Sequence, residues 1–312
     1  MRRVLVPLDG SALAESIIPD ARRLAGPGGE LILVRDASRP SYDMQHGVAA
    51  GSLTISEAEA YLTVVARLLR EQGVRIQART TFMHDIPLAI DEAAKLFDAD
   101  MIACATHGRT VVGRLVRGGA AWRAVAGSNV PVLLRNAEDS EGLPAGRLQY
   151  RRIMVPLDGS QYAERALPLA QQLALEWNAQ IVLVRVVSGL PEQGLAFGPV
   201  AAYAIEYQDE LAAAQEYLER IARGLTAEVQ TRSCIGGIVD GLLDAVEGEG
   251  ITDIVMTSHG RTGLSRVILG SIADLLIHRL HLPIIVIPAL AARSVDVEDR
   301  STDAIPMPAG RD

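Results

Sequence analysis

Val6-Pro7-Leu8-Asp9-Gly10-Ser11 returns later in the chain as Val155-Pro156-Leu157-Asp158-Gly159-Ser160. Ala105-Thr106-His107-Gly108-Arg109-Thr110 returns as Thr257-Ser258-His259-Gly260-Arg261-Thr262, and Pro131-Val132-Leu133-Leu134 as Pro283-Ile284-Ile285-Val286. The three pairs keep nearly one register along 312 residues. The chain is therefore a duplication of a unit of about 150 residues, an ordinary size for one domain. The repeat sets the expected boundaries: a first domain over 1–136, a polar, Gly- and Pro-containing linker over 137–150, and a second domain over 151–289. Residues 290–312 lose the apolar pattern and are expected to form a disordered tail.

Each half alternates short apolar runs with helical patterns. Apolar runs over 3–8, 31–34, 101–105 and 130–134 read as buried parallel strands, 75–81, alternating in character, reads as the third strand, and 152–157, 181–187, 228–233, 253–257 and 284–287 repeat the order. Helices are expected over 11–25, 55–72, 86–97 and 118–126, then 162–177, 206–224, 239–247 and 271–280. Ser11 is placed to cap the first of them. Long loops are expected over 38–56 and 188–203. Strands alternating with helices imply an α/β fold with parallel sheets and right-handed crossovers.

In such sheets a ligand sits at the carboxyl ends of the strands, where the chain switches direction across the sheet. Strands one and four of each half flank that point. Asp158 closes strand one of the second half. After strand four comes a segment of glycines, hydroxyls and arginines: Thr257, His259, Gly260, Arg261, Gly263, Arg266, Gly270 and Ser271, with Ile272 opening the next helix. Glycine permits close backbone approach, and a helix N-terminus offers unpaired N–H groups and partial positive charge, so the segment suits an anion such as phosphate. The first half carries Asp9 with Ala105, His107, Gly108, Arg109, Arg114, Arg117, Gly118, Gly119 and Ala120.

These motifs resemble the universal stress protein family, which carries Gly-x2-Gly-x9-Gly-Ser/Thr after its fourth strand and an aspartate at the end of its first. Here the second half reads Thr257-x2-Gly260-x9-Gly270-Ser271 with Asp158, and the first Ala105-x2-Gly108-x9-Gly118-Gly119 with Asp9. The resemblance covers nearly all of 1–289. It implies two tandem Rossmann-like domains, each a five-stranded parallel sheet of order 3-2-1-4-5 with helices on both faces. It also implies that the fifth strands pair, making an intramolecular pseudo-dimer for which further homodimerisation is optional. The ligand it implies is ATP, alone or with Mg2+. Asp158 would accept from ribose hydroxyls, the main chain of Val186 would meet adenine, and Pro156, Leu157 and Met256 would line the site beside the glycine loop. Pro7, Leu8 and Asp9 would do the same in the first half. Thr257 stands where the family has glycine, and its branched side chain is expected to crowd the approach. Gly119 in place of Ser271, and Asp36 in place of Val186, make the second site the expected tighter one.

The implied role is a regulatory module of the stress response in the cytoplasm, with at most slow ATPase activity and no residue assigned to catalysis. His107 and His259 have no adjacent Ser or Cys nucleophile and read as loop-shaping or phosphate-side residues. His278 and His281 lack a nearby Cys or acid pair, so no metal is expected. A nucleotide-independent dimerisation module is the alternative, and the glycine loop speaks against it. An adenine-nucleotide α/β hydrolase enzyme would need Ser-Gly-Gly-x-Asp-Ser or His-x-Gly-His, and neither is present. The net charge of −8 argues against a nucleic-acid partner. No window is apolar enough for a membrane span. The lone lysine, Lys95, and the absence of Gly-x4-Gly-Lys-Ser/Thr exclude the lysine-bearing phosphate loop. Cys104 and Cys234 fall in different halves and are expected to be unpaired thiols.

Overall fold

A computed structural model of the chain describes residues 2–37, 40–43, 48–52, 54–81, 86–106, 128–136, 151–188, 200–258 and 270–288. In chain order the first half runs β1 (Arg3–Pro7), α1 (Ala12–Glu15), α2 (Ile18–Ala25), β2 (Glu30–Asp36), β3 (Pro40–Asp43), β4 (Val48–Ser52), α3 (Ile55–Glu71), β5 (Arg75–Thr81), α4 (Ile86–Leu96), β6 (Met101–Thr106) and β7 (Val132–Asn136). The second runs β8 (Arg152–Pro156), α5 (Gln161–Glu164), α6 (Leu167–Trp177), β9 (Gln180–Ser188), α7 (Val200–Ala222), β10 (Val229–Gly236), α8 (Ile238–Gly248), β11 (Asp253–Thr257), α9 (Ser271–Arg279) and β12 (Ile284–Ile287). No helix among the described residues is long and apolar enough to cross a membrane.

Ten of the strands form one sheet, in the order β10-β9-β8-β11-β12-β7-β6-β1-β2-β5, and β3 pairs with β4 apart from it. Each half has the expected order 3-2-1-4-5 and is parallel throughout. The fifth strands join the halves as expected. β12 runs antiparallel to β7, with Ile284 opposite Leu134, Ile285 opposite Leu133 and Val286 opposite Val132. All six residues are buried. Pairing the two strands removes two apolar edges that would otherwise template aggregation.

Helices cover both faces, and each core runs across the junction. On one face Ile17, Leu24, Leu62 and Leu133 share a cluster with Ile153, Leu173, Leu218 and Ile285. On the other Ile90, Ile102 and Val132 share one with Leu242, Ile254, Leu276 and Val286.

Charge reinforces the junction on one face. Asp253, fully buried at the start of β11, accepts from Arg23 Nη1 of the first half at 2.6 Å, from Thr252 Oγ1 at 2.8 Å and from Arg151 Nη1 at 3.4 Å. Arg23 and Arg151 also lie over the Trp177 ring, 4.5 and 5.6 Å from its centroid. Asp20 takes Arg23 at 3.2 Å and Arg135 at 2.8 Å, and Arg2 reaches Glu176 at 2.6 Å. Burial, and then the Arg23 charge beside it, holds the Arg151 guanidinium below its usual range.

Four expectations are corrected. The helix expected over 11–25 is two pieces, α1 and α2, with Pro19 at the start of the second. Its counterpart expected over 162–177 is likewise α5 and α6, with Pro168 in the same place. Proline has no N–H and its ring crowds the preceding turn, so each helix restarts at it. The segment 38–56 contains the antiparallel hairpin β3–β4 before α3, which begins with Thr54 and Glu57 in a reciprocal capping box. In the second half α7 starts at Val200, within the expected loop and ahead of the expected start at 206. The stretch 200–205 holds no Gly or Pro to delay it. The expected linker 137–150, tail 290–312 and helix 118–126 lie outside the described residues.

Both cysteines are free thiols. Burial pushes the Cys104 thiol up to about 12 and raises that of half-buried Cys234. Below its unfolded value the Cys104 thiol is fully protonated in the folded protein. Stability held by the neutral Cys104 is kept there and lost as pH rises from about 8.5, its unfolded value, toward 12. A thiol-exchange reagent at pH 8 is expected to label Cys234 slowly and Cys104 only after denaturation. Equal labelling rates in the folded protein would contradict this packing.

Candidate functional site

β8 and β11 lie side by side in the sheet, and the chain leaves them toward opposite faces. After β8, Ala163 and Leu173 enter one core; after β11, Leu276 and Ile277 enter the other. A crevice between the carboxyl ends of two strands follows from that divergence.

On the β8 side, Leu157 N–H continues the ladder to Val184 O at 2.8 Å while its side chain is buried. Asp158 then turns back on itself. Its Oδ1 accepts from Ser160 N at 2.9 Å and Ser160 Oγ at 2.6 Å, and Ser160 Oγ caps α5 by accepting from Ala163 N at 3.1 Å. Gly159 sits at φ +87° to allow the turn. The first half repeats this at Asp9, Gly10 (φ +90°), Ser11 and Ala14, with bonds of 2.9, 2.6 and 3.0 Å. Both carboxylates are thus oriented by their own turns. Asp158 is half-buried and Asp9 exposed.

On the β11 side, Thr257 is the last strand residue, opposite Ile287, and its side chain is buried in the sheet. The next residue, Ser258, donates its N–H to Ile287 O at 2.9 Å and accepts from Gly270 N at 2.7 Å. That second bond draws the two ends of the intervening segment together and sets Gly270 against the end of β11. Gly270 is the N-cap of α9, in extended backbone, with no side-chain cap bond. The opening N–H groups of α9 are therefore not taken by a capping side chain. Ser271 beside them is exposed, and Asp274 directs Oδ1 to His278 Nδ1 at 2.9 Å.

Asp158, Pro156, Leu157, Thr257, Met256, Gly270, Ser271 and Ile272 are therefore gathered at adjacent strand ends. Met256 and Leu157 bury their side chains in opposite cores, so only their main chains face the crevice. The Val186 side chain packs against Gly241 of α8, where an added Cβ would stand 3.0 Å from both Val186 methyl carbons. Only its main chain is left for a ligand. In the first half Pro7, Leu8, Asp9 and Ala105 occupy the matching strand ends, and Asp36 accepts from Thr81 Oγ1 at 3.0 Å. His259, Gly260, Arg261, Gly263 and Arg266, with His107, Gly108, Arg109, Arg114, Arg117, Gly118, Gly119 and Ala120, lie outside the described residues. Among the described residues no group of three or more His, Cys, Asp or Glu could hold a metal ion.

One duplicated constellation escaped the sequence reading. Arg35 and Arg185, at matching positions of the expected ligand-facing strands β2 and β9, lie against Gly10 and Gly159. An added Cβ would meet their guanidinium nitrogens at 2.8 and 3.2 Å. Each stacks on a tyrosine, Tyr61 at 4.3 Å and Tyr217 at 4.9 Å from the ring centroid. Those phenols donate to Glu15 at 2.6 Å and Glu164 at 2.9 Å. Aligning the repeats pairs Val34-Arg35 with Val184-Arg185, a signal that could have found it.

A model of the universal stress protein family matches residues 1–135 and 149–288. A universal stress protein of Methanocaldococcus jannaschii is 29% identical over 143 residues, which cover 46% of this chain and 84% of that one. One from Mycobacterium tuberculosis is 22% identical over 222 residues, covering 69% of this chain and 70% of that one. Among solved structures, that of a universal stress protein from Archaeoglobus fulgidus aligns over 92% of this chain and 96% of its own, at 21% identity and a TM-score of 0.63.

Proposed function

The chain belongs to the universal stress protein family in both of its halves, and on that footing we propose that it binds an adenine nucleotide and serves as a regulatory module. The observation that carries the reading is the Ser258 O to Gly270 N bond. It holds the uncapped start of α9 at the end of β11, next to the strand that presents Asp158. An N-terminal turn with unclaimed N–H groups suits phosphate, and a carboxylate at the neighbouring strand end suits ribose hydroxyls as acceptor. The residues present therefore fit the group. Asp158 would orient the ribose, the main chain of Val186 the base, and Gly270, Ser271 and Ile272 the phosphates. Bound ATP would supply charge and shape that a partner protein can read, and no residue is assigned to hydrolysis. The half-buried Asp158 and the Ser271 hydroxyl support a tighter second site. The same reading keeps the protein in the cytoplasm. Homodimerisation is optional in it, because the fifth-strand edges are already paired within one chain.

Native mass spectrometry of the purified chain is expected to show adducts of adenine-nucleotide mass that disappear on denaturation. A chain that carries no such adduct and gains none when ATP is added at millimolar concentration would contradict the proposal.

A further inference from the structure

We propose that the guanidinium groups of Arg35 and Arg185, set against the turns that follow β1 and β8, each form an oxyanion site that takes a phosphate group. Arg35 is only 7% exposed. Its guanidinium carbon lies 4.3 Å from the Tyr61 ring centroid, and Gly10 lies so close that an added Cβ would stand 2.8 Å from Nη2. Among the described residues its guanidinium makes no hydrogen bond or ion pair, and none of its nitrogens is a buried atom without a partner, so their outer edge still meets solvent. The carboxylates whose charge is felt around it are engaged elsewhere. Asp9 Oδ1 accepts from Ser11, Glu15 from Tyr61 and Glu57 from Thr54.

A guanidinium held in place by an aromatic ring, with no protein acceptor and an edge still open to solvent, is pre-organised for an anion. The chain accepts this arrangement twice. Arg185 is half-buried, lies over Tyr217 and against Gly159, and likewise makes no hydrogen bond or ion pair among the described residues. A planar fork stacked on a ring and open at its edge matches the paired oxygens of a phosphate group, which can receive two parallel N–H bonds. The phosphate can be free or belong to a nucleotide, and the two sources are separable.

The test is thermal unfolding of the full chain and of Arg35→Met with Arg185→Met, at one ionic strength, in chloride, inorganic phosphate, adenosine or ATP. Methionine keeps length and apolar contact with the tyrosine but removes the charge. The proposal predicts that the double variant in chloride melts within a few degrees of wild type, because methionine keeps the apolar contact with the tyrosine and leaves no protein acceptor unpaired. Inorganic phosphate is expected to raise the wild-type midpoint by about 3–6 °C and to leave the variant unmoved. If ATP stabilises through these arginines while inorganic phosphate and adenosine do not, the phosphate is the nucleotide's. A shift of wild-type size in the variant, or no phosphate-bearing probe that stabilises wild type, overturns the proposal. Should the methionine pair not fold, Arg35→Lys with Arg185→Lys carries the test. The ammonium lacks the fork, so phosphate affinity should fall by about tenfold or more, and an unchanged affinity overturns the site. ATP binding that depends on Gly270 but not on these arginines would leave the crevice reading standing and remove this one alone.

Discussion

Val132→Asp together with Ile285→Asp is expected to leave a protein that no longer unfolds as one unit. Val132 faces one core and Ile285 the other, at 0% and 1% exposure, on the two strands that join the halves. A carboxylate at either place meets only apolar side chains and must either stay charged without a partner or take up a proton at a cost. Each substitution also deletes a fully packed aliphatic side chain. Together the two effects are worth about 3–5 kcal/mol per site. For domains of this size 1 kcal/mol moves the midpoint by about 2–4 °C, so the double variant should melt more than ~10 °C lower. It should also bind a hydrophobic dye that wild type does not. The measurement is calorimetry with dye titration. A single transition within a few degrees of wild type would show that the β7–β12 pairing does not hold the halves together.

Asp253→Ala is expected to cost about 3–5 kcal/mol, the usual penalty for removing one member of a buried ion pair. The substitution strands Arg23 and Arg151, which the carboxylate joins from opposite halves beneath Trp177. The loss lies in the charges left behind, so a second change should recover part of it. Urea denaturation of Asp253→Ala, Arg23→Met and the double variant closes a thermodynamic cycle. A coupling of about 1–3 kcal/mol is expected for groups in direct contact. Additive effects would mean that the 2.6 Å contact contributes nothing to joining the halves.

Much of this architecture could be read from the chain itself because its signals are local or repeated. The span 75–81 alternates in character and is β5 at the expected residues, and Ser11 caps where its position before a helical pattern predicts. The order of strands followed from the resemblance, and the fifth-strand pairing from two apolar edges that need covering. The proline restarts at Pro19 and Pro168 were equally local, yet the longer helical pattern around them masked the break. What could not be read was pairing across distance. Arg23 and Asp253 are 230 positions apart, and nothing in either neighbourhood marks the other as its partner. The Arg35, Tyr61 and Glu15 stack joins three elements of the first half, brought together by the crossovers that follow β1 and β2. At the candidate site, the Asp-Gly-Ser turn and the glycine after β11 were legible as motifs. The bond from Gly270 to Ser258, which brings them to one place, depends on the fold.

The claim that the crevice at Asp158 and Gly270 holds an adenine nucleotide is tested most directly by calorimetric titration of ATP into the wild-type chain, Gly270→Val and Gly118→Val. A valine at Gly270 puts a branched side chain where the phosphates would meet the start of α9 and restricts the backbone that bonds to Ser258. The account predicts that Gly270→Val removes the tighter site while the fold, followed by circular dichroism, is unchanged, and that Gly118→Val leaves that site intact. Unchanged affinity and stoichiometry in a folded Gly270→Val protein would contradict it.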